Sequence, residues 1–320
     1  SDRFRHRKRF VGAGYTLSAV SKLILAAAGL WLQVLLARFI DRLGKGTRTS
    51  ARDALIADSV QSKNRGAAFG LHRGLDTAGA VFGPLLALLL LHFLGESFSI
   101  IFLLAAIPGL IGVVLLIVML KEPKPAFQSS PLSLRFSLKQ LSPPFKVFLF
   151  INIIFALGNS SDAFLILRAQ SVGYSTINTV FLFIAFNFTY SILSFPFGKL
   201  SDRFSPKKII IAAFFLFSMV YTGFALCKQV SLLWALFPLY GLYMAMSEGV
   251  GKAYISRIVP AEIRGTALGV FYTATGLVMF FASFMAGLLW EYVGIPAPFY
   301  LGAVLSSIAG SLFIGIRDKS

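Results

Sequence analysis

The chain has 320 residues, 57% hydrophobic and only 13% charged, with 30 Lys and Arg against 13 Asp and Glu for a net charge of +17. A soluble domain carries roughly 25% charged residues, so this composition excludes an ordinary soluble fold. The single cysteine, Cys227, excludes an intramolecular disulfide and any cysteine-rich metal site.

Ten apolar spans are expected, at about 10–27, 29–43, 67–91, 98–120, 146–167, 176–197, 207–226, 230–252, 265–289 and 296–316. Each approaches the ~20 residues needed to cross a hydrocarbon core, so the chain reads as an all-α polytopic membrane protein. Phenylalanine in such helices faces lipid or packs between helices. Between the fourth and fifth spans, Lys121 to Phe145 holds five prolines, several serines and a basic excess. That composition marks a linker, dividing the chain into 1–120, 121–145 and 146–320.

The positive charge invites a nucleic-acid partner, but its placement argues against one. Arg3, Arg5, Arg7, Lys8 and Arg9 precede the first span, and Arg42, Lys45, Arg48, Arg52, Lys63 and Arg65 separate the second from the third. Lys121, Lys124, Arg135, Lys139 and Lys146 lie in or beside the linker, Lys199, Arg203, Lys207 and Lys208 follow the sixth span, and Arg257 and Arg264 follow the eighth. Arg317 and Lys319 end the chain, while the intervening loops hold little beyond Arg168 and Lys228. Such alternation places both ends and the linker in the cytoplasm, facing anionic lipid of the bilayer.

Two strings repeat. Ser1-Asp2-Arg3-Phe4 returns as Ser201-Asp202-Arg203-Phe204, and Arg65-Gly66-x-Ala68-x-Gly70 returns as Arg264-Gly265-x-Ala267-x-Gly269, at offsets of 200 and 199. Two related halves are implied. Within the second half, two apolar spans lie between the linker and the second copy of the first string, and none precedes the first copy.

Together these residues resemble the major facilitator superfamily of secondary transporters. SDRFRHRKR and GKLSDRFSPKK are similar to its signature G-x-L-x-D-R-x-G-R-K/R, the second copy supplying Gly198, Leu200, Asp202, Arg203, Lys207 and Lys208, with Ser205 where glycine is frequent. The first copy lacks its leading Gly-x-Leu. The resemblance implies two pseudo-symmetric halves of six helices, the ten spans being helices three to twelve and the first two lying before Ser1. LLARFIDRLGKG, from Leu35 to Gly46, is similar to the fourth-helix motif, with Arg38, Asp41, Gly44 and Gly46 in register and Arg42 departing from it. GAVFGP, from Gly79 to Pro84, is similar to the fifth-helix motif of exporters, chiefly drug/proton antiporters, with Ala87 and Leu88 replacing its last two glycines.

The resemblance makes Asp2, Arg3, Arg7, Lys8, Gly198, Asp202, Arg203, Lys207 and Lys208 candidates for a cytoplasmic gate. A carboxylate there can accept hydrogen bonds from a helix N-terminus and pair with Arg3 or Arg203. The alternative is a solvated basic loop. Arg38 and Asp41 share a helix face and are coupling candidates, Arg38 being implicated in proton coupling by the resemblance; otherwise it snorkels toward lipid phosphates. Arg73 and Asp76 repeat that spacing roughly 10 to 15 Å beyond Gly66 by helical rise, beside His72, and form the best candidate for a buried polar patch. Asp162, near Asn159, Ser160 and Ser161, suits a proton-binding carboxylate in low dielectric; otherwise it meets Arg168 near the outer interface. Glu248 and Lys252 read first as a structural i,i+4 pair. Gly79, Gly83, Gly265, Gly269, Gly276 and Gly287 permit close helix approach, and Gly83-Pro84 offers a bend.

These readings point to a monomeric secondary transporter of the plasma membrane, moving a small molecule by alternating access in exchange for protons, with efflux favoured. The rival in the same class is proton-coupled uptake of a sugar or organic anion. A rival of another class is a non-transporting remnant or partner subunit. No Walker loop, nucleophile elbow, metal-spaced cluster or paired carboxylate site is legible, so neither an enzyme nor a cofactor is expected.

Overall fold

A computed structural model describes residues 7–94, 98–120 and 141–316. Asp2, Arg3 and linker residues 121–140 lie outside the described residues. Among those described, all regular structure is helical: α1 (Arg7–Ala26), α2 (Trp31–Asp58), α3 (Arg65–Leu94), α4 (Phe98–Met119), α5 (Pro143–Gly158), α6 (Ala163–Ser171), α7 (Thr176–Arg203), α8 (Pro206–Leu226), α9 (Val230–Ile258), α10 (Arg264–Tyr292) and α11 (Ala297–Gly315). Two 3-10 turns, Ser62–Asn64 and Ala261–Ile263, lead into α3 and α10 at matching places in the repeat.

Among the described residues, eight helical stretches are long and apolar enough to cross a membrane, the α5–α6 region counting as one. Helices α1 and α2 are more polar. Over its length α2 carries Arg38, Asp41, Arg42, Lys45, Arg48, Arg52, Asp53 and Asp58, so it is not among those eight, and the helix runs on well beyond the expected span at 29–43.

The fifth expected span is interrupted. Helix α5 stops at Gly158 and α6 starts at Ala163. Residues of the intervening Asn-Ser-Ser-Asp type favour breaks because they can bond to nearby backbone, and here Ser161 Oγ accepts the Ala163 N–H at 3.3 Å. Apolar averaging across 146–167 hides these four residues.

The chain forms two compact units. One comprises Ser1–Ser59, Phe82–Phe136 and Pro260–Gly269. In it α1 packs on α2 and α4 around buried Val11, Ala51 and Leu55. The α1–α2 crossing needs glycine: a Cβ on Gly14 would meet the Gly44 carbonyl at 2.6 Å. Arg48 donates to Ser18 Oγ at 2.7 Å and stands 4.1 Å above the Tyr15 ring centroid.

The other unit comprises Val60–Val81, Ser137–Val259 and Val270–Ser320. Its core is aromatic. Phe155 stacks on Phe214 at 4.7 Å and meets Phe217 edge-on at 5.0 Å, and Phe217 stacks on Tyr221 at 3.9 Å. Rings bury large area and interlock by edge and face. Phe280, Phe281 and Phe284 on α10 are exposed instead. Helices α5 and α11 approach closely at Gly158 and Gly302, where a Cβ on Gly158 would lie 2.9 Å from the Gly302 Cα.

Candidate functional site

The second signature string closes on the start of α3. Asp202, in the last turn of α7, has a side chain only 9% exposed. Its carboxylate accepts the N–H groups of Gly66 and Ala67 at 2.8 and 2.7 Å. These are among the first amides of α3, which have no partner within their own helix, and the positive end of the dipole favours a carboxylate there. Arg257 Nη2 completes the shell at 2.5 Å, and its Nη1 donates to the Ser201 carbonyl at 3.2 Å. Arg65 ties the same end of α3 to the Ser256 carbonyl at 2.7 Å. Glycine permits the approach, since a Cβ on Gly198 would stand 2.9 Å from the Gly70 Cα.

The expected partner, Arg203, is exposed and points elsewhere. Consecutive residues on a helix are turned by roughly 100°, so Arg203 cannot face the groups that Asp202 faces. Lys208 is also exposed, whereas Lys207 is 8% exposed, donates to the Ile316 carbonyl and lies 5.5 Å from the Phe313 ring centroid. Lys207 thus closes the end of α11.

In the first unit the carboxylate comes from a helix end. Asp58, the last residue of α2, pairs with both Arg7 and Arg264. Arg7 also reaches the Ala261 carbonyl at 3.5 Å. Lys8 is half-buried beside it in sequence. Asp41 pairs with Lys45 at 3.1 Å, one turn along α2, instead of Arg38, which is exposed. The glycines of GAVFGP make no close approach among the described residues: a Cβ at Gly79 or Gly83 meets nothing within 4 Å, and α3 runs unbroken through Pro84. Gly276 and Gly287 are similarly open, and Gly269 has only Ser50, at 3.9 Å. On α3 the tight crossing uses Gly66, Gly70 and Gly74, against α7 at Gly198.

A polar cluster lies within the second unit. Arg73 donates to the Tyr190 hydroxyl on α7 and to Asp76 Oδ2 at 3.0 Å, and its guanidinium carbon stands 5.1 Å from the Tyr190 ring centroid. Ser191 Oγ donates to the Gly74 carbonyl at 2.7 Å, pinning this stretch of α3 to α7. From Tyr190 the rings continue through Phe186 at 6.0 Å to Tyr240 at 5.2 Å. Tyr240, on α9, donates to Asp162 Oδ1 at 2.8 Å. Glu248 and Arg73 are within electrostatic range of Asp162. Three expected residues, Arg73, Asp76 and Asp162, therefore belong to one connected cluster. Arg168 is not the partner of Asp162: it donates to the carbonyls of Phe224 at 2.9 Å, Ala225 at 3.3 Å and Cys227 at 2.6 Å, closing the end of α8. Lys252 is 7% exposed, its ammonium 5.9 Å from the Tyr272 ring centroid. His72 is half-buried on α3.

Sequence reasoning missed Arg257, Asp58, Tyr190 and Tyr240 as site residues. A signal existed for the first two. The offset of 199 that relates Arg65 to Arg264 also relates Asp58 to Arg257, so opposite charges occupy one repeat position. The two tyrosines sit in apolar runs and carry no such mark.

The family profile described as Major Facilitator Superfamily matches residues 1–183 and again 148–320. An uncharacterised MFS-type transporter of Methanocaldococcus jannaschii is 38% identical over 322 residues, covering 99% of this chain and 80% of that one. Among solved structures, the human organic anion transporter MFSD10 superposes with a TM-score of 0.81 at 14% identity, over 98% of this chain and 81% of that one. The Escherichia coli fucose:proton symporter FucP superposes with a TM-score of 0.75 at 13% identity, over 96% and 83%.

Proposed function

This chain belongs to the major facilitator superfamily, and from that premise we propose that it exports a small, partly apolar molecule in exchange for protons, with Asp162 as the coupling carboxylate. It is a multi-pass membrane protein and a secondary transporter, not an enzyme. The finer reading rests on one observation: Asp162 is hydrogen-bonded by Tyr240 inside an apolar helix packing and is linked through Phe186 and Tyr190 to Arg73. An ionisable group inside a membrane bundle is costly unless it serves a pathway or a proton step. Protonation of Asp162 would remove its charge and change its attraction to Arg73, the kind of differential interaction that biases two conformations.

The Asp202–Arg257 contact with the start of α3 is assigned as the cytoplasmic latch. It joins three helices by charge-assisted hydrogen bonds and can be remade only when they return to register. Export follows the resemblance of GAVFGP to the exporter motif. The linker at 121–145 follows its proline-rich composition and the cytoplasmic termini follow the charge asymmetry; a monomer in the plasma membrane is part of the same proposal.

A second reading, proton-coupled uptake of an organic anion or sugar, is favoured by Arg73. A guanidinium offers a planar fork to a carboxylate, and the names of the two structural neighbours concern an organic anion and a sugar moved with protons.

Proteoliposomes with an internal pH dye test both. Export by exchange predicts that outward substrate movement and proton entry coincide; uptake predicts that both enter together. Asp162→Asn is expected to abolish pH-driven flux while sparing substrate exchange. Unchanged pH-driven flux in that variant would remove Asp162 from coupling, and the absence of flux for any substrate class would favour the remnant or partner-subunit reading.

A further inference from the structure

Near the break between α5 and α6, two buried side-chain oxygens make no hydrogen bond among the described residues. Asn159 Oδ1 is buried without a hydrogen-bond partner among the described residues, and so is the Tyr221 hydroxyl, on a side chain only 1% exposed. The polar neighbours of that hydroxyl are Asp162, Ser160 and Tyr240. Ser160 is itself 5% exposed. Asp162 stands at the position before α6 where an aspartate ordinarily caps the helix, yet its side chain makes no capping bond. It turns to Tyr240 instead. The first amides of α6 are taken locally, Ala163 by Ser161 Oγ at 3.3 Å and Phe164 by the Ser161 carbonyl at 3.0 Å. On the other side, the last carbonyls of α5 run out at the break, and only that of Ala156 takes a following amide, from Asn159 at 3.2 Å. Helix C-termini carry partial negative charge.

The site therefore holds one carboxylate, neutral side-chain oxygens and a helix C-terminus. An orphaned buried acceptor costs free energy unless something satisfies it, and a proton on Asp162 supplies a single O–H, which can serve at most one neighbouring oxygen. A hard monovalent cation would satisfy the whole set, since such ions take oxygen ligands from carboxylates, amides and carbonyls. Unwound helix segments in transporters offer carbonyls and C-terminal ends to cations in this way.

We infer that the α5–α6 break is an alkali-cation site, with Asp162, Asn159 and Tyr221 as side-chain ligands for Na+, and that a proton on Asp162 is its competing occupant. The inference rests on the reading of Asp162 as the coupling carboxylate and adds a second ion to it.

The test is equilibrium binding of radioactive Na+ to the purified full chain in lipid nanodiscs. Saturable binding is expected, displaced by Li+ and by lowering the pH but not by choline. Asp162→Asn should abolish it. Asn159→Ala and Tyr221→Phe, which keep the carboxylate, should each weaken it by about tenfold. Lys228→Gln, in an exposed loop, serves as the control and should bind as the parent does. No saturable binding by the parent chain, or binding unchanged in Asn159→Ala and Tyr221→Phe, overturns the site even where Asp162→Asn fails to fold. Proton-driven flux without Na+ binding would sink this inference and leave proton coupling standing. Na+ binding without proton-driven flux would do the reverse.

Discussion

The Asp202 site and the Asp58 site occupy matching places in the repeat but distribute charge oppositely. At the first, the signature string supplies the acid and the end of α9 supplies the base, Arg257. At the second, the end of α2 supplies the acid, Asp58, and the signature run supplies the base, Arg7, joined by Arg264. Asp202 also accepts two amides from the start of α3. The helix–turn frame of a duplicated fold is thus retained while the sign of an ion pair is exchanged, because a pair is stabilising in either polarity. Only the helix N-terminus is particular about sign.

That difference sets the order of effects. Asp202→Asn removes the partner of Arg257 from a nearly closed site and should cost about 3 kcal/mol of the latched arrangement, lowering transport at least tenfold with membrane insertion unchanged. Swapping the pair, Asp202→Arg with Arg257→Asp, should not rescue it, because a cation would then face the α3 amides; rescue to the parent rate would show that the amides contribute nothing. Asp58→Asn should lower transport less, by roughly threefold, since Arg7 and Arg264 lose one ion-pair partner but no helix end. An effect equal to that of Asp202→Asn would erase the distinction. Arg73→Lys keeps the charge but loses the planar fork shared by Tyr190 and Asp76; a rise in the half-saturating substrate concentration of about threefold is expected, and no change would remove Arg73 from the substrate path. Asp41→Asn weakens a part-exposed i,i+4 pair with Lys45, with Ser18 and Arg48 nearby, and should shift the melting temperature by less than about 2 °C, from ~0.5 kcal/mol or less.

Much of this was legible in the sequence. Apolar run length located the helices, and the two repeated strings located Asp202 and the start of α3 that it meets. The Arg73–Asp76 spacing marked a real pair. Other features were not legible, for physical reasons. The break at 159–162 falls in a run of four polar residues, of which Ser161 takes a local backbone amide, a signal that averaging over a span removes. Partner choice depends on angle as well as proximity, so Asp202 takes Arg257 over Arg203, and Asp41 takes Lys45 over Arg38. Arg168 looked like a loop charge and instead satisfies three carbonyls at the end of α8. Tyr190 and Tyr240 matter through hydroxyls at the ends of apolar rings, which composition counts as hydrophobic. The glycines of GAVFGP suggested packing, yet the close crossing of α3 with α7 falls about one and a half to three and a half turns before Gly79, at Gly66, Gly70 and Gly74.

The most direct measurement is electron–electron distance spectroscopy between spin labels on Lys63 and Lys208, both exposed, in the full chain reconstituted in lipid. A working latch predicts two distance populations in the parent protein, with Asp202→Asn shifting the balance toward the longer one. A single distance, identical in parent and variant, would contradict it.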